Sequence, residues 1–292
     1  MQDILSRSRS IARVIPAQQT LEGGGVTIRR AFPTRQIMDI DPFLLLDHMG
    51  TWDLRPGEGT GFPDHPHRGF ETVMYLLEGE MQHKDSHGHR GLIQAGGVQW
   101  MTAGSGLVHS EMPGADLVHT GGRLEGFQLW VNLPRRDKMT APRYQELSAA
   151  QIPSAQNADG TVRAKVIAGE ALGVRGGVET HTPLLYVHFM LDAGARVEQP
   201  VSDGLNVFAY VIRGEGLFGD ELAHADDLVV FSRENGPVEF ANTGAEPLQL
   251  LLIGGLPLNE PVERYGPFVM NTKAEIRQAF EDYRAGRMGV IE

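Results

Sequence analysis

The chain has 292 residues, enough for one large domain or two of ordinary size. Its 37 acidic residues against 26 basic ones leave a formal net charge of −11, which argues against gripping phosphate backbones, so no direct nucleic-acid partner is expected. Cysteine is absent, and that excludes disulfides, thiolate-ligated zinc, iron–sulfur clusters and thiol nucleophiles.

In chain order, the N-terminal MQDILSRSRSIARVIPAQQT carries arginines but no continuous apolar core of signal-peptide type. No later stretch approaches the roughly 18 apolar residues that a spanning helix needs. The expectation is a soluble, cytoplasmic, monomeric protein without membrane contact. Short apolar runs follow, bounded by glycines and prolines: Phe43–Leu46, Thr72–Leu77 and, much later, Leu248–Ile253. Such runs read as strands of an all-β protein. Tyr75-Leu76-Leu77-Glu78-Gly79-Glu80 is echoed by Tyr210-Val211-Ile212-Arg213-Gly214-Glu215, each a strand entering a tight turn. Two copies of one β-barrel unit would fill the length, as residues 1–150 and 151–292, with the boundary in the polar stretch 148–160. Near the end, Thr272 can cap a helix through Glu275. Ile276, Ala279, Phe280 and Tyr283 recur at helical spacing, and Gly286 can end the turn. This reads as a single C-terminal helix packed on a barrel.

The eleven histidines are uneven, with eight between His48 and His119. His65 and His67 stand at i and i+2, so on an extended segment both rings project from one face, and His109 with Glu111 repeats the spacing. Two such pairs on neighbouring strands would aim three imidazoles and one carboxylate at a common point inside a barrel. That donor set suits one borderline divalent ion at net +1, with two octahedral positions left for water, dioxygen or a chelating substrate. His87 and His89 share the pattern, but the segment Lys84–Gly91 reads as a solvated hairpin turn, so they are assigned to the surface. Phe62, Trp100, Met101, Phe127, Gln128 and Trp130 are candidates for an apolar mouth suited to a flat aromatic ligand, or else ordinary core. Gln128 would supply an orienting hydrogen bond. Asp47, His48 and Asp64 are candidate polar neighbours of the metal. Gly214–Gly219 satisfies GxGxxG but leads into a strand, not a dinucleotide-binding helix. No HExxH motif exists.

The segments Asp41–Asp47, Phe62–Thr72, Val98–Gly104, His109–Pro113, Leu129–Leu133 and Gly266–Thr272 together resemble the pirin family of the cupin superfamily, nearly end to end. The resemblance implies two stacked cupin (jelly-roll) β-barrels, with iron held in the first by His65, His67, His109 and Glu111. Manganese, nickel, copper and zinc also suit such ligands. The general cupin pattern offers Glu71 as the carboxylate ligand. Pirin-like proteins use the later glutamate, which leaves Glu71 to orient an imidazole. The repeat offset of 135 maps His65, His67 and Glu71 onto Pro200, Ser202 and Asn206, so the second barrel is expected to be metal-free. Bacterial proteins of this kind include flavonol (quercetin) 2,3-dioxygenases. Their activity implies a flavonol-like substrate, dioxygen, release of carbon monoxide and a depside, and Glu111 as the catalytic proton acceptor. A regulator that binds a protein partner according to iron oxidation state is the alternative, and a structural staple is a third reading.

Overall fold

The computed structural model describes residues 8–291. The strands are β1 (Ile11–Pro16), β2 (Gln18–Glu22), β3 (Val26–Phe32), β4 (Phe43–Leu54), β5 (Phe62–His67) and β6 (Phe70–Glu78). They continue as β7 (Glu80–Asp85), β8 (Arg90–Gln94), β9 (Val98–Thr102), β10 (Leu107–Pro113), β11 (Gly122–Asn132) and β12 (Arg143–Leu147). These form the N-terminal barrel, apart from β1. Its larger sheet has the order β12-β9-β6-β11-β4-β3-β2 and its smaller one β5-β10-β7-β8. Side chains from both sheets meet in one apolar cluster, with Ile28 and Met74 from the larger and Met81 and Ile93 from the smaller.

The C-terminal barrel repeats the plan. Its larger sheet runs from β1 through Asp227–Phe231, Asn206–Arg213, Leu248–Gly255 and Leu184–Leu191 to Val162–Ala168 and Ser154–Gln156. Its smaller sheet is Arg196–Gln199, Val238–Asn242, Glu215–Phe218 and Glu221–His224. The sequence echo corresponds to one turn used twice: Gly79 and Gly214 link equivalent strands at φ of 80° and 81°. A Cβ at either would stand 2.5 Å from the Arg123 carbonyl or 2.8 Å from that of Pro247, so both conformation and space call for glycine.

The division at 150/151 needs correction at the chain ends. One compact unit joins the described residues up to Gln18, Thr34–Gln36 and Gln151–Pro257, and the other joins Gln19–Pro33, Ile37–Ala150 and Leu258–Glu292. β1 pairs antiparallel with Asp227–Phe231 and packs Ile11 and Val14 on the C-terminal core. In the N-terminal barrel, Ile276 and Ala279 of the late helix cluster with Val108, Phe268 and Met288. Sequence position suggested contiguous halves because pairing between residues some 200 apart leaves no local signature. Residues 1–7, part of the N-terminal segment weighed above, lie outside the described residues.

Among the described residues there are two helices rather than one: α1 (Ala115–Thr120) and α2 (Lys273–Arg284). The cap of α2 is as expected. Thr272 Oγ1 accepts from the Glu275 amide at 3.2 Å, and Glu275 Oε2 accepts from the Asn271 amide at 3.1 Å. Tyr283 is exposed and Asp282 is buried in its stead. Among the described residues, no helix is long and apolar enough to cross a membrane.

Candidate metal centre

β5 lies at the edge of the smaller sheet, where Pro63 and Pro66 are tolerated because an edge strand leaves half its amides unpaired. It pairs with β10 so that His65 faces His109 and His67 faces Leu107. The i, i+2 spacing therefore puts both β5 rings beside His109. Ring centroids lie 4.7 Å apart for His65–His67, 4.3 Å for His65–His109 and 4.9 Å for His67–His109. One nitrogen from each imidazole falls within 4.8 Å of the others.

Hydrogen bonds decide which nitrogens face inward. His65 Nδ1 lies 2.7 Å from the Pro63 carbonyl and His67 Nδ1 lies 3.3 Å from that of Pro267. A carbonyl only accepts, so each Nδ1 carries the proton and each Nε2 presents a lone pair. The two Nε2 atoms are 3.1 Å apart. Two lone pairs at that distance repel unless a cation lies between them, and cis ligands at about 2.1 Å from one ion are separated by about 3 Å. His109 is fully buried, and both of its ring nitrogens lack a hydrogen-bond partner among the described residues. Burial holds all three imidazoles neutral, with His67 and His109 pushed well below the ordinary histidine range. Neutral, inward-facing imidazole is the form that binds metal.

Glu111 stands apart from this tight group. The pairing of β5 with β10 slips between His109 and Glu111, so that Glu111 faces Phe62. A bulge re-aims the side chain beyond it, and the Glu111 carboxylate instead accepts from Gln128 Nε2 at 3.2 Å. Burial raises the Glu111 carboxyl to about 7, against the smaller lowering effect of the Gln128 bond. Gln128 Oε1 is buried without a partner.

The imidazoles of His65 and His67 open on a cavity of about 490 Å³, a usual size for a small-molecule site. Phe62, Asp64, Asp47, Gln128 and Trp130 line it, and Glu111 is on its wall. His67 meets Trp130 edge-on at 5.2 Å. Trp100 does not line the cavity: it is 1% exposed, in the middle of β9 between Val73 and Gln145. Phe127 and Met101 are also core, and His48 stacks on Phe127 while pairing with Glu125 at 3.1 Å. Glu71 is buried, accepts from the Thr102 hydroxyl at 2.6 Å and is not on the cavity wall.

Arg30, Arg264 and Pro267 also line the wall, and no local sequence signal marks them. Arg30 grips Asp47 with two hydrogen bonds of 2.8 and 2.7 Å, and Arg264 lies 4.9 Å over the Trp130 ring. Gly266–Thr272 was singled out only as a resemblance. Nothing local in it shows that its proline carbonyl holds His67.

The C-terminal barrel has no equivalent among its described residues. Phe240 pairs with Phe218 across strands as Glu111 pairs with His83 in the first barrel, and these rings pack with Phe189 and Phe231 into its core. Its larger depression, about 1290 Å³ along the segment 169–185, contains no tight group of metal-binding side chains.

Two cupin barrels, one with an apolar core that includes four phenylalanines and one with a buried histidine cluster, define a bicupin. The chain belongs to the pirin family: residues 25–131 match the pirin domain and residues 186–289 the pirin C-terminal cupin domain. It is 44% identical over 292 residues to a pirin-like protein of Solanum lycopersicum, covering 99% of this chain and 96% of that one. To the pirin of Mus musculus it is 42% identical over 289 residues, covering 98% and 96%. A crystal structure of quercetin 2,3-dioxygenase from Acinetobacter baumannii superposes with a TM-score of 0.91 at 37% identity, covering 98% of this chain and 100% of that one.

Proposed function

We propose that this protein is a flavonol 2,3-dioxygenase of the quercetinase type, working with one iron(II) held by His65, His67 and His109, with Glu111 completing the set. The observation that carries the reading is the pair of inward Nε2 lone pairs 3.1 Å apart, fixed from behind by two carbonyls, beside a 490 Å³ cavity. Likeness to a quercetin 2,3-dioxygenase over the whole chain supports the choice of substrate class. When bound, the ion supplies the Lewis-acid and redox chemistry that a reaction with dioxygen requires.

The chain's own residues supply the rest. Phe62 and Trp130 offer apolar faces to a flat ring system, and Arg264 over Trp130 limits how far it slides. Glu111, on the cavity wall, is placed to take the proton from a flavonol hydroxyl as the substrate enters. Gln128 holds that carboxylate and keeps a free carbonyl for the substrate.

The test is anaerobic loading with iron(II), followed by quercetin and air. Oxygen uptake with release of carbon monoxide is expected, and His109→Ala should abolish both. Full metal loading without oxygen uptake or carbon monoxide would sink the enzymatic reading and leave the metal-dependent regulator.

A further inference from the structure

Elsewhere in the N-terminal barrel, a second tight group of metal-binding side chains comprises His83 on β7, His89 in the turn after it and Glu146 on β12. Their ligand atoms lie within 4.8 Å of one another. Glu146 Oε1 is 3.3 Å from His89 Nε2 and 3.6 Å from His83 Nδ1. Ligands around a tetrahedral ion with bonds of about 2.0–2.1 Å stand about 3.4 Å apart, so these spans suit such an ion.

The surroundings hold the three groups in place. Asp85 Oδ1 accepts from the backbone amides of His87 and His89, at 2.9 Å each, folding the turn so that His89 comes back over His83. His87 is exposed, and His89, at the surface as well, is turned inward far enough to meet the buried His83. Tyr144 stacks on both imidazoles, at 4.9 and 4.2 Å. Gln99 Nε2 lies against His83 Nδ1 and donates to Glu146 Oε1 at 2.7 Å, so its amide links the two ligand atoms and would turn aside for a bound ion. Gly91 leaves the gap between them: a Cβ there would lie 2.5 Å from Glu146 Oε1 and 2.6 Å from His83 Cε1. The His83 side chain is fully buried, while those of His89 and Glu146 are 37% and 38% exposed, which gives an entry path and room for a fourth ligand.

We infer that His83, His89 and Glu146 form a second divalent-metal site, of two imidazoles and one carboxylate, suited to zinc and open to solvent. Its donor set shares no residue with the first centre. Occupancy would tie β7 and the turn after it to the edge strand β12.

Zinc stoichiometry tests this on the full chain, stripped with chelator and equilibrated at micromolar free zinc, with bound metal counted by elemental analysis. Two equivalents per chain are expected for the wild type. His89→Ala and Glu146→Gln should each keep one equivalent, which also shows that the variant folds, while His65→Ala with His109→Ala should keep the other. Gly91→Ala should likewise lose the second equivalent. His87→Ala should retain both. Cobalt(II) in the double variant should give the strong visible bands of four-coordinate geometry, and these should vanish with His89→Ala. A single equivalent in the wild type would overturn the assignment, as would a second equivalent that survives both His89→Ala and Glu146→Gln.

Discussion

His109 is fully buried with both ring nitrogens unpartnered, a condition that costs free energy unless something binds there. Glu111, opposite His83 on β7, is under similar tension because burial raises its carboxyl to about 7 from 4.5. The linkage sign follows from the direction of that shift. The folded chain binds the proton more tightly than the unfolded one, so stability of the metal-free protein falls as pH rises from about 4.5 through 7. Glu111→Gln removes the titrating group and keeps the shape. In metal-free protein at pH 8 the variant should be more stable than wild type by up to about 3 kcal/mol, with no gain at pH 4, as read by urea unfolding. With iron supplied, the same variant should lose turnover by about a hundredfold or more and hold its metal less tightly by elemental analysis, because an amide is a poorer ligand and no proton acceptor. The HxH and HxE spacings made these residues visible in the sequence. The bulge that turns Glu111 toward Gln128 was not visible, because it depends on how β5 and β10 pair.

At the scale of elements, α2 braces the strand that carries the histidines. Arg68, next to His67, donates to Asp282 at 2.6 Å and to the Ser105 carbonyl at 2.7 Å. Burial pushes the Asp282 carboxyl up, but hydrogen bonds from Arg68, Gln278 and Arg287 outweigh it and hold the group at about 2. Here the folded state favours the ionised form, so the stabilisation is present above the ordinary aspartate range and disappears as pH falls toward 2. Asp282→Asn should therefore cost about 3 kcal/mol at neutral pH by leaving Arg68 buried without its partner. The deficit should shrink below pH 4 in the same unfolding assay. Between Arg68 and β6, Gly69 adopts φ of 88°, and a Cβ there would lie 2.0 Å from the Val269 carbonyl. Gly69→Ala should displace His67 and lower metal occupancy, measured by elemental analysis. The helix itself was legible from Thr272, Glu275 and the apolar spacing, but its buried acid was not. A carboxylate on a helix reads as solvated until its arginine partner, 214 residues away, is in place.

For the whole molecule, the exchange of chain ends between the two compact units makes truncation informative. Removing residues 1–17 deletes β1, the edge strand that pairs with Asp227–Phe231. Hydrogen exchange should then rise in the C-terminal barrel while iron binding by the N-terminal barrel stays intact. Removing residues 258–292 takes away the Pro267 carbonyl behind His67 and the Asp282 partner of Arg68. That variant should lose metal first, and its N-terminal barrel should be the part that exchanges faster.

What the amino-acid sequence determined by itself was whatever local periodicity and repetition encode. Short apolar runs bounded by glycine and proline dictated strands, the echo at Gly79 and Gly214 dictated two like barrels, and the i, i+2 histidines dictated a shared face. Loss of ligands at Pro200, Ser202 and Asn206 pointed to a barrel without metal, and Phe218 and Phe240 fill its interior. Tertiary structure alone decided the Nδ1 proton positions, set by the carbonyls of Pro63 and Pro267, and the partition of the chain ends. It also withdrew Trp100 from the cavity and folded His89 back onto His83 and Glu146. The physical reason is common to all of these: each depends on which strands lie side by side and in what register. Register is set by the summed burial of whole faces, not by the residues that the register brings together.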